Sequence, residues 1–142
     1  MLVHGATGGV GVAAVQLAKA AGLEVFGTGG TAKGRELVLQ QGAEKVFDHG
    51  TPDYMDQILA ATGGRGVDII LDTMARDAAV LGLLLWTTPE SDRFAIHSAL
   101  ATGFENGTLR PAMGKEIHLV DAPLAHKTVM QHEACGKIVL IP

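Results

Sequence analysis

A glycine-rich stretch near the start of the sequence has the residue types that bind the phosphates of a nucleotide. Residues 3–11 read Val-His-Gly-Ala-Thr-Gly-Gly-Val-Gly, which places Ala6, Gly8 and Gly11 at the three marked positions of the fingerprint G-x-G-x-x-G/A. Gly8 would let the backbone approach a pyrophosphate, and Gly11 would let the following helix pack closely on its strand. The N–H groups at the start of that helix would face the anion. A purely structural turn is the alternative interpretation.

The residues after the second predicted strand favour NADPH over NADH. An NAD-binding unit usually has Asp or Glu at this point, where it holds the ribose 2′-hydroxyl. Here residues 27–31 read Gly-Thr-Gly-Gly-Thr, and Lys33 and Arg35 follow. With no acid and two cations nearby, a 2′-phosphate could be accepted; solvated charges at a helix start are the alternative. His49 follows the third strand, at the rim where ligands of open α/β sheets bind, although a rim histidine is commonly a plain surface residue.

The order of the elements predicts an α/β fold with a Rossmann-like, doubly wound parallel sheet. Apolar runs at 2–3, 23–27, 44–48 and 67–71 are the predicted strands, and the predicted helices cover 10–21, 31–41 and 51–62, the last with Pro52 in its first turn. The near-continuous apolar run at 67–71 is typical of a parallel strand covered on both faces.

The alternation breaks after Leu71. Residues 72–77 form a short polar link to another apolar run at 78–86, and this link barely allows a parallel crossover. The remaining predicted elements are a helix at 88–105 with Pro89 at its first position, a strand at 109–113, a helix at 121–132 and a strand at 137–141.

Composition excludes several classes of function. The 142 residues carry a net charge of −4 without a basic run, so nucleic-acid binding is not expected, and no apolar run is long enough to span a bilayer. The single cysteine, Cys135, excludes an internal disulfide and a cysteine zinc cluster and fits the cytoplasm. The six histidines are not spaced as a metal site, and Tyr54, a conceivable proton donor, has surface packing as its default role. No catalytic residue and no metal ligand is therefore assigned.

Several segments together resemble the zeta-crystallin-like quinone oxidoreductase branch of the medium-chain dehydrogenase/reductase family. They are residues 4–11, 27–31, 41–43, 46–49, 66–70, 72–75 and 136–140. The resemblance implies a zinc-free, NADPH-dependent enzyme that reduces quinones, often as an oligomer.

The resemblance also implies which residues contact the cofactor. Thr7, Gly8, Gly9 and Val10 would contact its phosphates. Gly30 and His49 would lie at the adenosine 2′-phosphate, and Leu83, Leu84 and Leu85 on the nicotinamide side. Some relatives have a lysine where this chain has Gly34, and Lys33 is one residue away.

Two departures from the family pattern shape the expectations. The family's N-terminal catalytic domain has no counterpart in the sequence, and about one β–α unit, on the order of 35 residues, is missing at the Leu71/Asp72 junction. Residues 1–110 would form the cofactor domain, and 111–142 a segment that returns to the catalytic domain in relatives, so that its apolar strand would lack a partner here. We expect weak or no activity from the chain alone.

Unpaired apolar edges further predict self-association, or pairing with a full-length homologue. The alternatives are a non-catalytic nucleotide-binding or subunit-interaction module, an enoyl reductase of the same superfamily, and RNA binding, which some relatives show but the acidic charge disfavours.

Overall fold

The computed structural model describes residues 1–73, 88–131 and 136–142. The predicted strand at 78–86, with Leu83, Leu84 and Leu85, lies outside these residues. So does most of the predicted link at 72–77, and so do residues 132–135.

Four short parallel strands form the main sheet, in the order β3-β2-β1-β4. The strands are β1 (Leu2–His4), β2 (Phe26–Thr28), β3 (Lys45–Phe47) and β4 (Ile70–Asp72), and the helices between them are α1 (Gly9–Ala20), α2 (Ala32–Gln40) and α3 (Tyr54–Ala61). This order is the first part of the Rossmann arrangement, in which successive crossovers build outward from a central first strand. The predicted Rossmann-like parallel sheet is confirmed.

Apolar side chains cover both faces of the central strand. Because successive strand residues point to opposite faces, Val3 joins a cluster with α1 and α2, while Leu2 joins one with α3. The first cluster comprises Val3, Ala6, Val15, Ala18, Val25, Val38 and Ala43, and the second comprises Leu2, Phe26, Phe47 and Ile58.

The sequence predicts the start of α2 correctly but not the start of α3. The Thr31 hydroxyl accepts a hydrogen bond from the Gly34 N–H at 3.1 Å and caps α2, as its sequence predicts. Pro52 was expected in the first turn of α3, but that helix begins at Tyr54 and Pro52 lies in the preceding turn. There the Thr51 N–H and hydroxyl both bond to the Asp48 carbonyl, which keeps residues 51–53 in a turn.

The fourth strand differs from its prediction in position and in burial. It begins at Ile70 and includes Asp72, which was assigned to a link. The side chains of Ile69 and Ile70 are 49% and 62% exposed, so this strand is not covered on both faces. Within the described residues it lies at the edge of the sheet and pairs with β1 alone.

A second, smaller sheet follows α4 (Glu90–Glu105). It pairs β5 (Met113–His118) in parallel with β6 (Lys137–Ile141), and α5 (Ala122–Val129) connects them after a short 3₁₀ turn at Leu119–Asp121. Pro89 caps α4 and is not its first residue. The terminal strand is confirmed, and the expectation that it lacks a partner is wrong.

The predicted strand at 109–113 is also wrong, because Leu109 serves the packing of α4. Its backbone N–H donates to the Gly103 carbonyl at 2.8 Å, and its side chain fills the space beside Gly103, where a Cβ would lie 2.6 Å from Leu109 Cδ1. Leu109 is buried as a result, and β5 begins four residues later at Met113.

Gln16 joins the first helix to the segment that follows α4. Its amide nitrogen donates to the Arg110 carbonyl at 2.7 Å, and its amide oxygen accepts from the Arg110 N–H at 2.9 Å. The same nitrogen bonds to the Gln41 side chain after α2. The amide of Gln16 is thus fully used although its side chain is nearly buried.

Candidate dinucleotide-binding site

The glycine turn between β1 and α1 presents unpaired backbone donors. Residues 5–8 form the turn, and the first bond of the helical ladder runs from the Val12 N–H to the Gly8 carbonyl at 2.9 Å. The N–H groups of Gly9, Val10 and Gly11 precede that bond and have no acceptor within the helix. Gly8, at the N-cap, supplies no side-chain cap. These donors and the positive end of the helix dipole can hold an anion.

Packing within the protein explains one glycine of the fingerprint, Gly11, but not another, Gly8. A Cβ on Gly11 would lie 2.6 Å from the Ala6 Cα, so this glycine is required for the close approach of α1 to the turn. A Cβ on Gly8 would meet no atom within 4 Å. The space in front of Gly8 is open, and packing within the protein does not explain the glycine there.

Thr7 locks the turn against the start of α2. The point that a Cβ on Gly29 would occupy lies 2.6 Å from the Thr7 Cγ2 methyl, and the corresponding point on Gly34 lies 2.8 Å from it. Both glycines are therefore needed to accommodate the Thr7 side chain. A lysine at position 34, as in some relatives, would collide with Thr7.

The structure brings Gly30 and His49 together at the carboxyl edge of the sheet. A Cβ on Gly30 would lie 3.1 Å from His49 Nε2, and His49 Nδ1 lies 3.3 Å from the Thr28 hydroxyl. That hydroxyl also accepts a 3.0 Å hydrogen bond from the Gly5 N–H. Thr28, which is fully buried, thus connects the glycine turn to the predicted 2′-phosphate position.

The two predicted cations lie on different faces of α2. The Arg35 guanidinium donates to the Asp48 carboxylate at 2.7 Å and to the Gly29 carbonyl at 3.1 Å, so it fixes the loop and neutralises Asp48. Lys33 is exposed and borders a cavity of about 270 Å³ together with Glu36 and residues of β5. No described contact joins Lys33 to Gly30 or His49.

A cluster of rings and one carboxylate also lies at this edge, and sequence reasoning gave no role to two of its members, His4 and Asp72. His4 Nδ1 lies 3.2 Å from Asp72 Oδ1, and the His4 ring lies 5.6 Å from that of His49 and 6.3 Å from that of Tyr54. Tyr54 stacks on His4 with an interplanar angle of 12°, in keeping with a packing role. The signal in the sequence is that His4, Thr28, His49 and Asp72 each end or follow a strand, and parallel strands bring such residues to one rim.

The terminal strand also reaches the glycine turn, which sequence reasoning missed. The Gly136 N–H donates to the Thr7 carbonyl at 3.5 Å, and the Lys137 side chain crosses Gly9. A Cβ on Gly9 would lie 2.5 Å from Lys137 Cε and 3.0 Å from its Nζ.

Among the described residues, two carboxylates have clearly shifted pKa values, and neither belongs to a predicted site residue. A hydrogen bond and the charge of Lys19 lower the pKa of Glu44, while a hydrogen bond from Gln57 lowers that of Asp53. Within the described residues, no three His, Cys, Asp or Glu side chains are placed to share a metal ion. None of the described helices is both long and apolar enough to cross a membrane.

Comparison with known protein families settles the relationship. The model of the zinc-binding dehydrogenase family matches residues 9–131, which is most of the chain. The chain belongs to this family. Its parallel sheet is that of a Rossmann-like cofactor domain of the medium-chain dehydrogenases/reductases, which confirms the resemblance found in the sequence.

Individual relatives of the family agree with this assignment. The quinone oxidoreductases of Homo sapiens and Sus scrofa are each 33% identical over 177 residues, covering 99% of this chain but 54% of each relative. The chain thus spans about half the length of these curated relatives. A synthase of Mycobacterium bovis, named for phthioceranic and hydroxyphthioceranic acids, is 45% identical over 85 residues.

Solved structures match the fold over 99% of the chain. The Escherichia coli quinone oxidoreductase complexed with NADPH is 26% identical, with a TM-score of 0.82 over 56% of its own chain. An NAD-dependent alcohol dehydrogenase, at 23% identity and a TM-score of 0.82, matches over 50% of its chain and supports the fold alone.

Proposed function

We propose that this chain binds NADPH and is the cofactor-binding portion of a zinc-independent quinone oxidoreductase. The observation that carries the proposal is the open glycine turn: donors at the start of α1 face a space that a Cβ on Gly8 would enter without meeting an atom. The Gly30–His49 pair lies on the same edge of the sheet, where a bound dinucleotide would extend its adenosine half.

Each predicted site residue takes a role in this proposal. Thr7, Gly8, Gly9 and Val10 would hold the pyrophosphate, and Gly30, His49 and Lys33 the 2′-phosphate end. Leu83, Leu84 and Leu85, outside the described residues, would lie at the nicotinamide. The cofactor would supply a hydride for the reduction of a quinone, and the protein's part is to bind and orient it.

The charges at the end of β2 support NADPH over NADH. The carboxylate nearest to His49 in sequence, Asp48, is neutralised by Arg35 at 2.7 Å and also accepts from the Gly50 N–H at 2.8 Å. A 2′-phosphate would therefore meet His49 and the Gly30 backbone without facing an unpaired acid. In an NAD-specific unit a free Asp or Glu would repel it.

We further propose that the chain alone reduces quinones weakly or not at all. The relatives align over 177 residues against 142 in this chain, a difference of 35, which supports a missing β–α unit after β4. Residues 1–110 would be the cofactor unit, and 111–142 the segment that joins the catalytic domain in relatives. The exposed Ile70 marks the strand beside which the missing unit would lie.

A thermal melt with NADPH or NADH tests the binding proposal. A ligand that binds only the folded state stabilises it, by about 2.7 kcal/mol at a concentration 100 times Kd. For a chain of this size that corresponds to a rise in Tm of roughly 10 °C. We expect NADPH to raise Tm more than NADH does, and the His49→Gln variant to lose most of that difference. Equal shifts by both nucleotides would refute the NADPH preference, and no shift by either would refute the site.

The activity proposal has its own assay. We expect NADPH oxidation in the presence of 1,4-benzoquinone to stay close to the rate without protein. Steady turnover at about 10 s⁻¹, an ordinary enzyme rate, would contradict it.

An enoyl reductase is the second candidate. It belongs to the same superfamily, and the Mycobacterium bovis phthioceranic/hydroxyphthioceranic acid synthase is 45% identical over 60% of this chain. NADPH oxidation with an enoyl thioester but not with a quinone would select it.

A further inference from the structure

A buried hydroxyl joins two parts of the proposed site and has no role in the proposal so far. Thr28, the last residue of β2, is fully buried; its Oγ1 accepts from the Gly5 N–H at 3.0 Å and lies 3.3 Å from His49 Nδ1. Its backbone carbonyl accepts from the Ala6 N–H at 2.9 Å. One residue thus binds the start of the glycine turn twice and also contacts the histidine proposed to hold the 2′-phosphate.

The hydrogen-bonding capacity of this hydroxyl determines which nitrogen of His49 carries a proton. A hydroxyl group has one proton to donate, and a buried donor without an acceptor is unfavourable. The Gly5 N–H is itself a donor, so it cannot receive the Thr28 proton. Among the described residues, the acceptor that the hydrogen bonds of Thr28 provide is His49 Nδ1. In a neutral imidazole whose Nδ1 accepts, the proton is on Nε2.

The position of Nε2 connects this tautomer to the ligand. His49 Nε2 lies 3.1 Å from the point that a Cβ on Gly30 would occupy, and Gly30 is exposed at the carboxyl edge of the sheet. A second contact to the imidazole comes from His4, whose ring lies edge-on at a centroid distance of 5.6 Å and is itself stacked on Tyr54. Two contacts therefore orient the His49 ring, and its Nε2 lies at the position proposed for the 2′-phosphate.

We propose that Thr28 is a positioning residue that determines the preference for NADPH: its hydroxyl holds His49 in the tautomer whose Nε2–H donates to the 2′-phosphate. This inference rests on the proposed function, since it assumes the 2′-phosphate at His49. NADH has a hydroxyl in place of that phosphate, and a hydrogen bond to a charged acceptor is roughly twice as strong as one to a neutral group. Loss of the correct tautomer therefore weakens NADPH binding more than NADH binding.

Nitrogen-15 NMR of the histidine side chains tests the tautomer directly. The spectra are recorded at pH 8, where an unperturbed imidazole is neutral and its two nitrogens give distinct signals. We expect the His49 signals, identified by their loss in His49→Gln, to show a protonated Nε2 and an accepting Nδ1 in wild type. Thr28→Val, which replaces the hydroxyl with a methyl group, should give a mixture of both tautomers. A protonated Nδ1 in wild type would refute the inference, whether or not a nucleotide binds.

Isothermal titration calorimetry with NADPH and NADH tests the effect on binding. The measured quantity is the ratio of the two affinities, because a loss that both nucleotides share through the Gly5 N–H cancels in it. We expect Thr28→Val to lower the preference for NADPH about fivefold, and Thr28→Ser, which keeps the hydroxyl, to lower it less than about twofold. Since His49→Gln already removes most of the preference, adding Thr28→Val to it should lower the ratio by less than about twofold more.

Thr62→Val is the matched control. The Thr62 hydroxyl also accepts from a glycine N–H, that of Gly66 at 2.9 Å, but it lies at the end of α3 and donates to carbonyls of that helix. Its loss should leave the preference for NADPH within about twofold of wild type. The Tm of each unliganded variant is measured first, because Thr28→Val leaves the Gly5 N–H without its acceptor. If that variant does not fold, the wild-type NMR spectrum still decides the tautomer.

The outcomes separate this inference from the proposed function. If wild type prefers NADPH and Thr28→Val keeps that preference, Thr28 does not determine it and the proposed function stands. An equal fall in the preference for Thr62→Val, or an additive fall in the His49→Gln background, would also refute the inference, because the effect would not act through His49. If wild type binds neither nucleotide, the proposed function fails and the inference with it.

Discussion

The two flanks of the main sheet differ in how completely they are packed. On one flank Val3, Val25 and Val38 are fully buried between the sheet and the helices α1 and α2. On the other flank Ile69 and Ile70 of the β4 region remain about half exposed. The glycine turn depends on the packed flank, because its anchors are Thr28, Gly29 and Gly34. Nucleotide binding and self-association are therefore expected to respond to different substitutions.

The largest effect is expected from breaking the packed flank at Gly11. The substitution Gly11→Val places side-chain atoms where the Ala6 backbone lies 2.6 Å from a Cβ, and backbone cannot move aside as a side chain can. We expect a loss of about 3 kcal/mol in the free energy of unfolding, at the upper end of overpacking costs, measured by urea denaturation. Gly8→Ala is the control: its Cβ enters open space, and we expect a loss of less than about 1 kcal/mol. An equal loss for both variants would contradict the packing argument.

A smaller loss is expected from the connection between the packed flank and the C-terminal unit. The substitution Gln16→Leu keeps the side-chain volume but removes the amide that bonds to the N–H and the carbonyl of Arg110. We expect a loss of about 2 kcal/mol, because unsatisfied buried polar groups cost roughly 1–3 kcal/mol each. Gln57→Leu removes an exposed glutamine that bonds within α3 and should change stability by less than about 0.5 kcal/mol. A neutral Gln16→Leu variant would show that water replaces the amide.

The exposed flank should affect association more than stability. Ile70→Lys places a charge on an edge strand, which opposes pairing between edges. Because the side chain is 62% exposed, we expect unfolding to change by less than about 0.5 kcal/mol. Sedimentation velocity at several concentrations should show self-association of wild type and a shift of the variant toward monomer. Met55→Lys, an exposed apolar residue of α3, should leave association unchanged. Monomeric wild type at every concentration would contradict the prediction.

The smallest effect concerns a surface ion pair on the packed flank. Lys19 donates to Glu44 at 2.7 Å, and this hydrogen bond lowers the pKa of Glu44 from its ordinary value of 4.5. A carboxylate with a lowered pKa stabilises the fold above its ordinary pKa, and that stability is lost as the pH falls through the lowered value. Glu44→Gln should therefore lower Tm slightly at pH 6 and make no difference near pH 2. Lys19→Met should give the same small change, and the double variant no more. A larger difference in Tm at pH 2 than at pH 6 would contradict this prediction, because the ionised carboxylate stabilises the fold only at the higher pH.

Local sequence patterns predict the elements of the packed flank but few features of the rest of the molecule. The glycine turn, the Thr31 cap and the order of β1 to β3 follow from short-range rules of spacing and capping, and each agrees with the structure. The exposure of β4 does not follow from its sequence, because an apolar run reads the same whether or not helices cover both faces of the strand. That coverage is a property of topology.

The parts of the candidate site that sequence reasoning missed all depend on distant contacts. Lys137 meets Gly9 across more than a hundred residues, and the Gln16–Arg110 contact joins positions 94 apart. Gly29 belongs to a recognised motif and Gly34 is a departure from the family pattern, but the structural cause of both is the methyl group of Thr7. Neither hydrophobic periodicity nor helix-capping patterns in a sequence indicate a contact between residues so far apart. The one signal in the sequence is the glycines themselves. Where the structure gives them no positive φ, as at Gly9, Gly29 and Gly34, another group lies close by.

The long separation between Gln16 and Arg110 has a consequence for the order of events during synthesis. The first helix leaves the ribosome well before position 110, and at about 5–20 residues per second the delay is roughly 5–20 s. During that interval the amide of Gln16 has only Gln41 and water as partners. A nascent chain halted before position 110 therefore exposes the groove beside α1 that Leu109 and Arg110 later help to line, with Phe104 and Leu100 on its far side. Chaperones that bind apolar segments would have access to this groove before Leu109 and Arg110 line it.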